Sequence, residues 1–208
     1  MGIKSGWYKP SNDEGISEVP TLSYAIFRLL RQRILSGYYK RGERLSEVKL
    51  SEELNTSRSP IREAFGQLEK TGLVNSVMRK GIFVFDFNNN DVREVAELRI
   101  LLEQHIVRVL VEEDAITDAD IANLQQIIES LCDIISRKDL NEEEIAYGAS
   151  QLDLSFHLTL AELANRPVFL EVVKNTLTKS RAMLGLLGLK INQKKVIADH
   201  RQLVEALQ

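Results

Sequence analysis

Apolar residues recur three and four positions apart through most of this chain, the spacing that lines one face of an α-helix. Leu22, Ile26, Leu29 or Leu30, and Arg33 or Ile34 set a first helix from about Leu22 to Ser36, with Gly37 at its stop. A second is predicted from about Ser46 to Leu54, and Asn55-Thr56 makes a turn. A third opens on Ser57, whose hydroxyl is placed to accept from a first-turn amide. It carries Ile61, Phe65 and Leu68 as a stripe and ends at Gly72, which suits a left-handed C′ position. Pro60 is tolerated in that first turn because the amides there have no intrahelical acceptor. The period then shortens: Val74 to Met78 and Ile82 to Phe85 read as two short strands around Arg79-Lys80-Gly81. Asp86 to Asn90 is polar and turn-rich and marks a boundary. Beyond it every segment is helical in period: Asn90, as a cap, to about Glu113; Asp118 to Arg137 with Ile121, Leu124, Ile127, Ile128 and Leu131; Glu142 to Ala164; Pro167 to Leu187; and Asn192 to Gln208. The last carries no stop signal, so the fold is expected to continue past it.

The pattern predicts a mainly α protein. Residues 1–20 form a disordered polar tail, 21–86 a winged helix-turn-helix of three helices plus a two-stranded wing, and 91–208 an all-α helical bundle. Composition narrows the class. No run approaches the roughly 20 apolar residues of a membrane span, and the start has no apolar core of a signal peptide. Cys132 is the lone cysteine; an internal disulfide is impossible, and its neighbours Leu131, Ile134 and Ile135 suggest an inert core thiol in a reducing cytoplasm. The net charge of −3 conceals an asymmetry: residues 21–85 carry +6 and residues 86–208 carry −8. A basic head on an acidic body fits double-stranded DNA as the partner of the head alone.

The third helix supplies the chemistry for that partner. Arg58 and Arg62 are spaced i and i+4, on a different face from Ile61, Phe65 and Leu68. Such a helix packs one side and offers two guanidinium forks to the major groove, where each fits the O6 and N7 of guanine. Ser57 and Ser59 are placed to steady phosphates, and Lys80 and Gly81 at the wing tip to approach the backbone or minor groove. The ordered set Gly42-x-Arg44-Leu45-Ser46-Glu47, Leu50-Ser51-x-x-Leu54, Ser57-Arg58-Ser59-Pro60-Ile61-Arg62-Glu63-Ala64 and Leu68-x-x-x-Gly72-Leu73-Val74 resembles the GntR family of bacterial transcription regulators, over roughly Thr21 to Phe85. Arg41 stands where that family usually has proline, an exchange expected to loosen the turn.

A second constellation lies in the bundle. Asp153 and His157 are one turn apart, and His200 follows on a later helix; a carboxylate and two imidazoles on facing helices suit a divalent ion such as zinc. Taken alone, D-x-x-x-H is more often a surface pair. Here His157 follows Phe156 in the apolar stripe Leu152, Phe156, Leu160 and Leu163. Glu97-Leu98-Arg99-x-x-Leu102-Glu103, Asp153-x-x-Phe156-His157 and Asp199-His200-Arg201-x-Leu203-x-x-Ala206-Leu207 resemble the FCD ligand-binding domain of the FadR subfamily, with Ala164-Asn165-Arg166-Pro167 departing slightly from its Gly-Asn loop. The resemblance implies metal roles for Asp153, His157 and His200, plus a further histidine that these 208 residues do not include. It also implies a homodimeric, cytoplasmic regulator that binds a palindromic operator and senses a small organic acid. Arg99 is the candidate for the effector carboxylate, against an ion pair with Glu103 at i+4. His105 has no evident partner. Two rivals remain at this stage: a metal-dependent enzyme built on the Asp/His cluster, and a ligand sensor whose head only contacts proteins. The charge of the head argues against the second.

Overall fold

The computed structural model describes residues 21–189 and 191–208. The tail assigned to residues 1–20 therefore lies outside the described residues. The elements run α1 (Leu22–Leu35), β1 (Arg44–Leu45), α2 (Glu47–Glu53), α3 (Arg58–Lys70), β2 (Val74–Val77), β3 (Gly81–Val84), α4 (Asn89–Glu112), α5 (Asp118–Ser136), α6 (Glu142–Leu163), α7 (Pro167–Leu186) and α8 (Gln193–Leu207). The architecture is mainly α, a winged helix-turn-helix head followed by a helical bundle.

Caps explain most of the helix starts. Thr21, Ser46 and Asn192 each accept a first-turn amide with the side chain, and Asn88–Asp91, Thr117–Asp120 and Asn141–Glu144 form reciprocal capping boxes. The cap of α4 is thus Asn88 rather than Asn90, because only Asn88 has an acid three residues on to complete the box. Ser57 occupies the N-cap position of α3 in extended backbone, but its hydroxyl makes no capping hydrogen bond. That expectation fails, and the hydroxyl is left available at the exposed end of the helix.

The head has a third strand that the sequence pattern did not reveal. The sheet order is β1-β3-β2, all antiparallel, with Arg44 opposite Phe83 and Leu45 opposite Ile82. Two residues are too few to show a period of two. The three helices and the sheet close over Phe27, Leu30, Ile34, Ile61, Phe65, Leu68, Val74 and Val84, all buried. Arg41 replaces the stiffness of a proline with two contacts: Nη1 donates to the Phe87 carbonyl at 3.1 Å, and the guanidinium lies 4.6 Å from the Phe87 ring centroid. It ties the turn to the segment that leads into the body.

The body packs α5 against α6 and α8, and α4 against α7, over a second core containing Leu124, Ile128, Phe156, Val173 and Leu177. Cys132 is half-buried rather than in the core, 3.4 Å from an Arg201 guanidinium nitrogen. His105 is exposed, with its ring 4.9 Å from that of Phe169. No helix among the described residues is long and apolar enough to cross a membrane.

Head and body share a seam. Ala182 and Met183 of α7 are buried in the head core, and Tyr147 and Leu186 pack against it. Gly72 ends α3 with φ +73°, and a Cβ there would sit 2.9 Å from Thr178 Cγ2 and 3.2 Å from the Thr178 carbonyl oxygen. Both the left-handed backbone and the close approach require glycine. Gly72→Ala should cost more than about 1 kcal/mol, seen as a lower urea midpoint. An unchanged midpoint would contradict the tight seam.

Candidate functional site

Two candidate sites exist, one on the head and one inside the body. On the head, α3 turns Ile61, Ala64, Phe65 and Leu68 into the core, which leaves Ser57, Arg58, Ser59 and Arg62 exposed together. The two predicted arginines differ in state. Arg58 projects with no partner among the described residues, whereas Arg62 is held by Glu47 of α2 through Nε to Oε1 at 3.3 Å and Nη2 to Oε2 at 3.1 Å. This fork is exposed and weak. It presets the direction of the Arg62 guanidinium while leaving it exchangeable for a base edge or phosphate. At the wing, the Lys80 amide donates to the Val77 carbonyl at 2.9 Å to close the hairpin, and Arg79 and Gly81 take φ of +62° and +109°. Met78 and Lys80 are exposed there. A Cβ on Gly81 would lie 3.1 Å from Arg44 Nε, so strand β1 brings Arg44 to the base of the wing. Arg44 is a basic residue of this surface that the sequence reading did not assign, since its place depends on the unpredicted strand.

In the body, α6 and α8 bring Asp153, His157 and His200 together, with one ligating atom of each within 4.8 Å of the others. His200 Nε2 is 3.4 Å and His157 Nε2 3.7 Å from Asp153 Oδ1. His157 Nδ1 is 3.2 Å from Glu103 Oε1, while Arg99 donates from Nη2 to His157 Nε2 at 2.9 Å. Both contacts are satisfied by the tautomer with its proton on Nδ1. A carboxylate behind a histidine in this way orients the ring and turns the Nε2 lone pair, which here accepts from Arg99, toward the cluster. Arg99 also donates from Nε to Glu103 Oε1 at 2.7 Å. Arg99 thus pairs with Glu103 as the i+4 spacing suggested, and its other nitrogen also reaches the cluster.

His200 is buried and lies flat on Phe156, with ring centroids 3.9 Å apart and planes at 17°. Burial, and then the neighbouring His157, pull its pKa down to about 4, so the ring is neutral near pH 7 as a metal ligand must be. Its Nδ1 is buried with no hydrogen-bond partner among the described residues. Burial pushes the Asp153 carboxyl up, but His157, His200 and Arg99 outweigh that and hold it below the ordinary carboxylate value. A neutral His200 ring, an ionised carboxylate and the convergent nitrogens of His157 and His200 are a donor set that a borderline divalent ion takes.

Two participants escaped the sequence reading. Glu103 was assigned only as a partner for Arg99. Arg181 on α7 was not assigned at all: it donates from Nε to Ser150 Oγ at 2.9 Å and faces the Asp153 charge. Its only sequence signal is a basic residue one turn after Leu177.

Comparison with known proteins bears on both domains. Residues 22–84 match the family described as bacterial regulatory proteins, gntR family, and residues 94–208 match the FCD domain. A relative described as the Nta operon transcriptional regulator of Aminobacter aminovorans is 32% identical over 141 residues, covering 68% of this chain and 63% of that protein. The gluconate operon transcriptional repressor of Bacillus licheniformis is 28% identical over 176 residues, covering 85% of this chain and 68% of that protein. Among solved structures, E. coli McbR/YncC superposes with a TM-score of 0.58 at 24% identity, covering 90% of this chain and 86% of the other, a likeness of fold. The chain thus spans less than two thirds of the Nta operon regulator's length.

Proposed function

From the premise that this chain belongs to the gntR family of bacterial regulatory proteins, in its FCD-bearing, FadR-like branch, we propose that it is a homodimeric transcription regulator. Its head reads a palindromic operator and its bundle senses a small carboxylate. The observation that carries the first half is the exposed pair Arg58 and Arg62 on the outer face of a packed α3, beside a basic wing. Arg58, exposed on the outer face of α3, is the residue best placed to meet a guanine edge. Arg62 exchanges Glu47 for DNA, Ser57 and Ser59 steady phosphates, and Lys80 and Gly81 follow the backbone at the wing. The dimer reading is supported by apolar side chains left exposed on two adjoining helices, Leu98 and Leu101 on α4 and Val168 and Val172 on α7. Two heads related by a dyad imply two half-sites.

For the body, the donor set fits a divalent metal, and Asp153, His157 and His200 would hold it, with Glu103 orienting His157. Such an ion, when bound, supplies a Lewis-acid anchor for an oxygen ligand. Arg99 offers the complementary cation for an effector carboxylate, donating from the guanidinium nitrogen that now meets His157. For this binding to be regulation, the effector must favour one head arrangement over another. The enzyme reading of the same cluster has no support from the matched families, which are regulatory.

The test is affinity for a preferred site against random DNA. Arg58→Ala should weaken the preferred site by about 1–3 kcal/mol and random DNA much less. Equal losses on both would remove the base-reading role. Lys80→Ala should weaken all sequences alike and flatten the slope of log affinity against log salt by about 0.9. A sequence-dependent loss would contradict its assignment to phosphate.

A further inference from the structure

One face of α6 joins the two sites. Glu143, Tyr147, Ser150, Asp153 and His157 follow one another at three- and four-residue steps, so they form a single stripe along the helix. At one end the stripe grips the head: Glu143 Oε1 accepts from Arg31 Nη1 at 2.8 Å, the Arg31 guanidinium lies 4.3 Å over the Tyr147 ring, and Tyr147 meets Phe27 with ring centroids 6.2 Å apart. Next to it Arg28 of α1 donates to Glu144 at 2.7 Å. At the other end the stripe carries Asp153 and His157 into the candidate metal centre. Midway, Ser150 Oγ accepts from Arg181 of α7.

Helix α7 has the same double loyalty. Its Val173 and Leu177 are buried in the bundle core, and Arg181 lies one turn beyond Leu177. Thr178, Ala182 and Gly185 face the head, against Gly72 and Leu35. Arg181 and Ala182 are consecutive residues, one facing the bundle interior and the other set in the head core. Burial pulls the Arg181 guanidinium down to about 10, opposed by the Asp153 charge beside it. A guanidinium so placed depends on Asp153 and Ser150 together, and leaving them for an apolar surround would be costly.

We propose that Arg181, seated on Ser150 and facing Asp153, is the positioning residue through which occupancy of the bundle interior resets the docking of the head. The inference rests on the bundle being the effector site. A ligand that engages Asp153 or draws Arg99 off His157 changes the charge that Arg181 faces. The guanidinium recentres, and α7 and α6 shift at the level where Ala182, Met183 and Tyr147 pack on the head. Packed seams of this kind move between discrete arrangements rather than bending continuously. Linkage makes the effect reciprocal: DNA that fixes the heads alters interior affinity by the same factor.

The test separates this coupling from the site reading. Zinc alone is titrated into the full chain by calorimetry, and binding or its absence reports on the Asp153–His157–His200 site. Independently, hydrogen exchange is followed without ligand in the wild type and in Arg181→Met, Arg181→Lys and Ser150→Ala. The amides of α1 should exchange at least threefold faster in Arg181→Met and Ser150→Ala, with α5 unchanged, and Arg181→Lys should restore most of the protection. Unchanged α1 exchange, an equal rise in α5, or no rescue by lysine overturns the proposal. If Arg181→Met does not fold, Ser150→Ala carries the same comparison against α5. Where zinc binds, it should also change α1 exchange in the wild type and not in Ser150→Ala; the same change in both overturns the route.

Discussion

Phe156→Ala is expected to lower the stability of the chain by about 3–5 kcal/mol, the range for deleting a buried aromatic ring from a core. Phe156 is fully buried, lies flat on His200 and meets the His157 ring with centroids 5.7 Å apart. The ring is therefore both a core filler and the floor of the Asp153–His157–His200 cluster. Truncation leaves a cavity lined on one side by polar rings, one of which already has an unpartnered Nδ1. Water that enters solvates His200 but removes the packing that sets the ring plane. The measurement is urea unfolding followed by circular dichroism, with zinc affinity read on the same protein. A loss below about 1 kcal/mol would show that the bundle does not depend on this stack.

Acid is expected to destabilise the chain well before ordinary carboxylates titrate. In the unfolded chain His200 takes a proton near 6.5; in the fold its pKa is pulled down to about 4 by burial and by His157. Between those values the unfolded state binds more protons, so stability falls as pH drops from about 6.5 to about 4 and levels below that. At 1.36 kcal/mol per unit the full loss is about 3 kcal/mol. The groups facing the ring are His157 and Asp153 on α6, Arg99 on α4 and Asp199 on its own helix. Asp153, held below its ordinary value, adds a further loss only under about pH 4. Urea midpoints at pH 7, 6, 5 and 4.5 test this. The midpoint should fall across the series in the wild type, and much less in His200→Gln. A flat series, or the same fall in the variant, would remove His200 as the cause.

How much of this was legible in the residues depends on the range of the signal. Local patterns carried the helices: the stripe Ile61, Phe65 and Leu68 and the terminal Gly72 define α3, and structure agrees to within a residue or two. The head site was legible for the same reason, because Arg58 and Arg62 read as one face of one helix. Strand β1 was not, since Arg44 and Leu45 become a strand only by pairing with Phe83 and Ile82, a contact with no local period. In the bundle, Asp153 and His157 were visible as a helical pair, and His200 as the second imidazole on a later helix that also falls in the matching motif. The roles of Glu103 and Arg181 depend on how α4 and α7 lie against α6, which spacing within one helix does not encode. The Ser57 cap failed for a related reason: the residue type suited the position, but its hydroxyl makes no bond to the first turn.

A chain that reads DNA sequence as a dimer should select its site from a mixture, so the protein is equilibrated with random duplexes at near-physiological salt and what it retains is sequenced. One palindrome should be enriched, and the enrichment should be lost in Arg58→Ala. Retention without sequence preference, or an enriched site indifferent to Arg58, would contradict that reading.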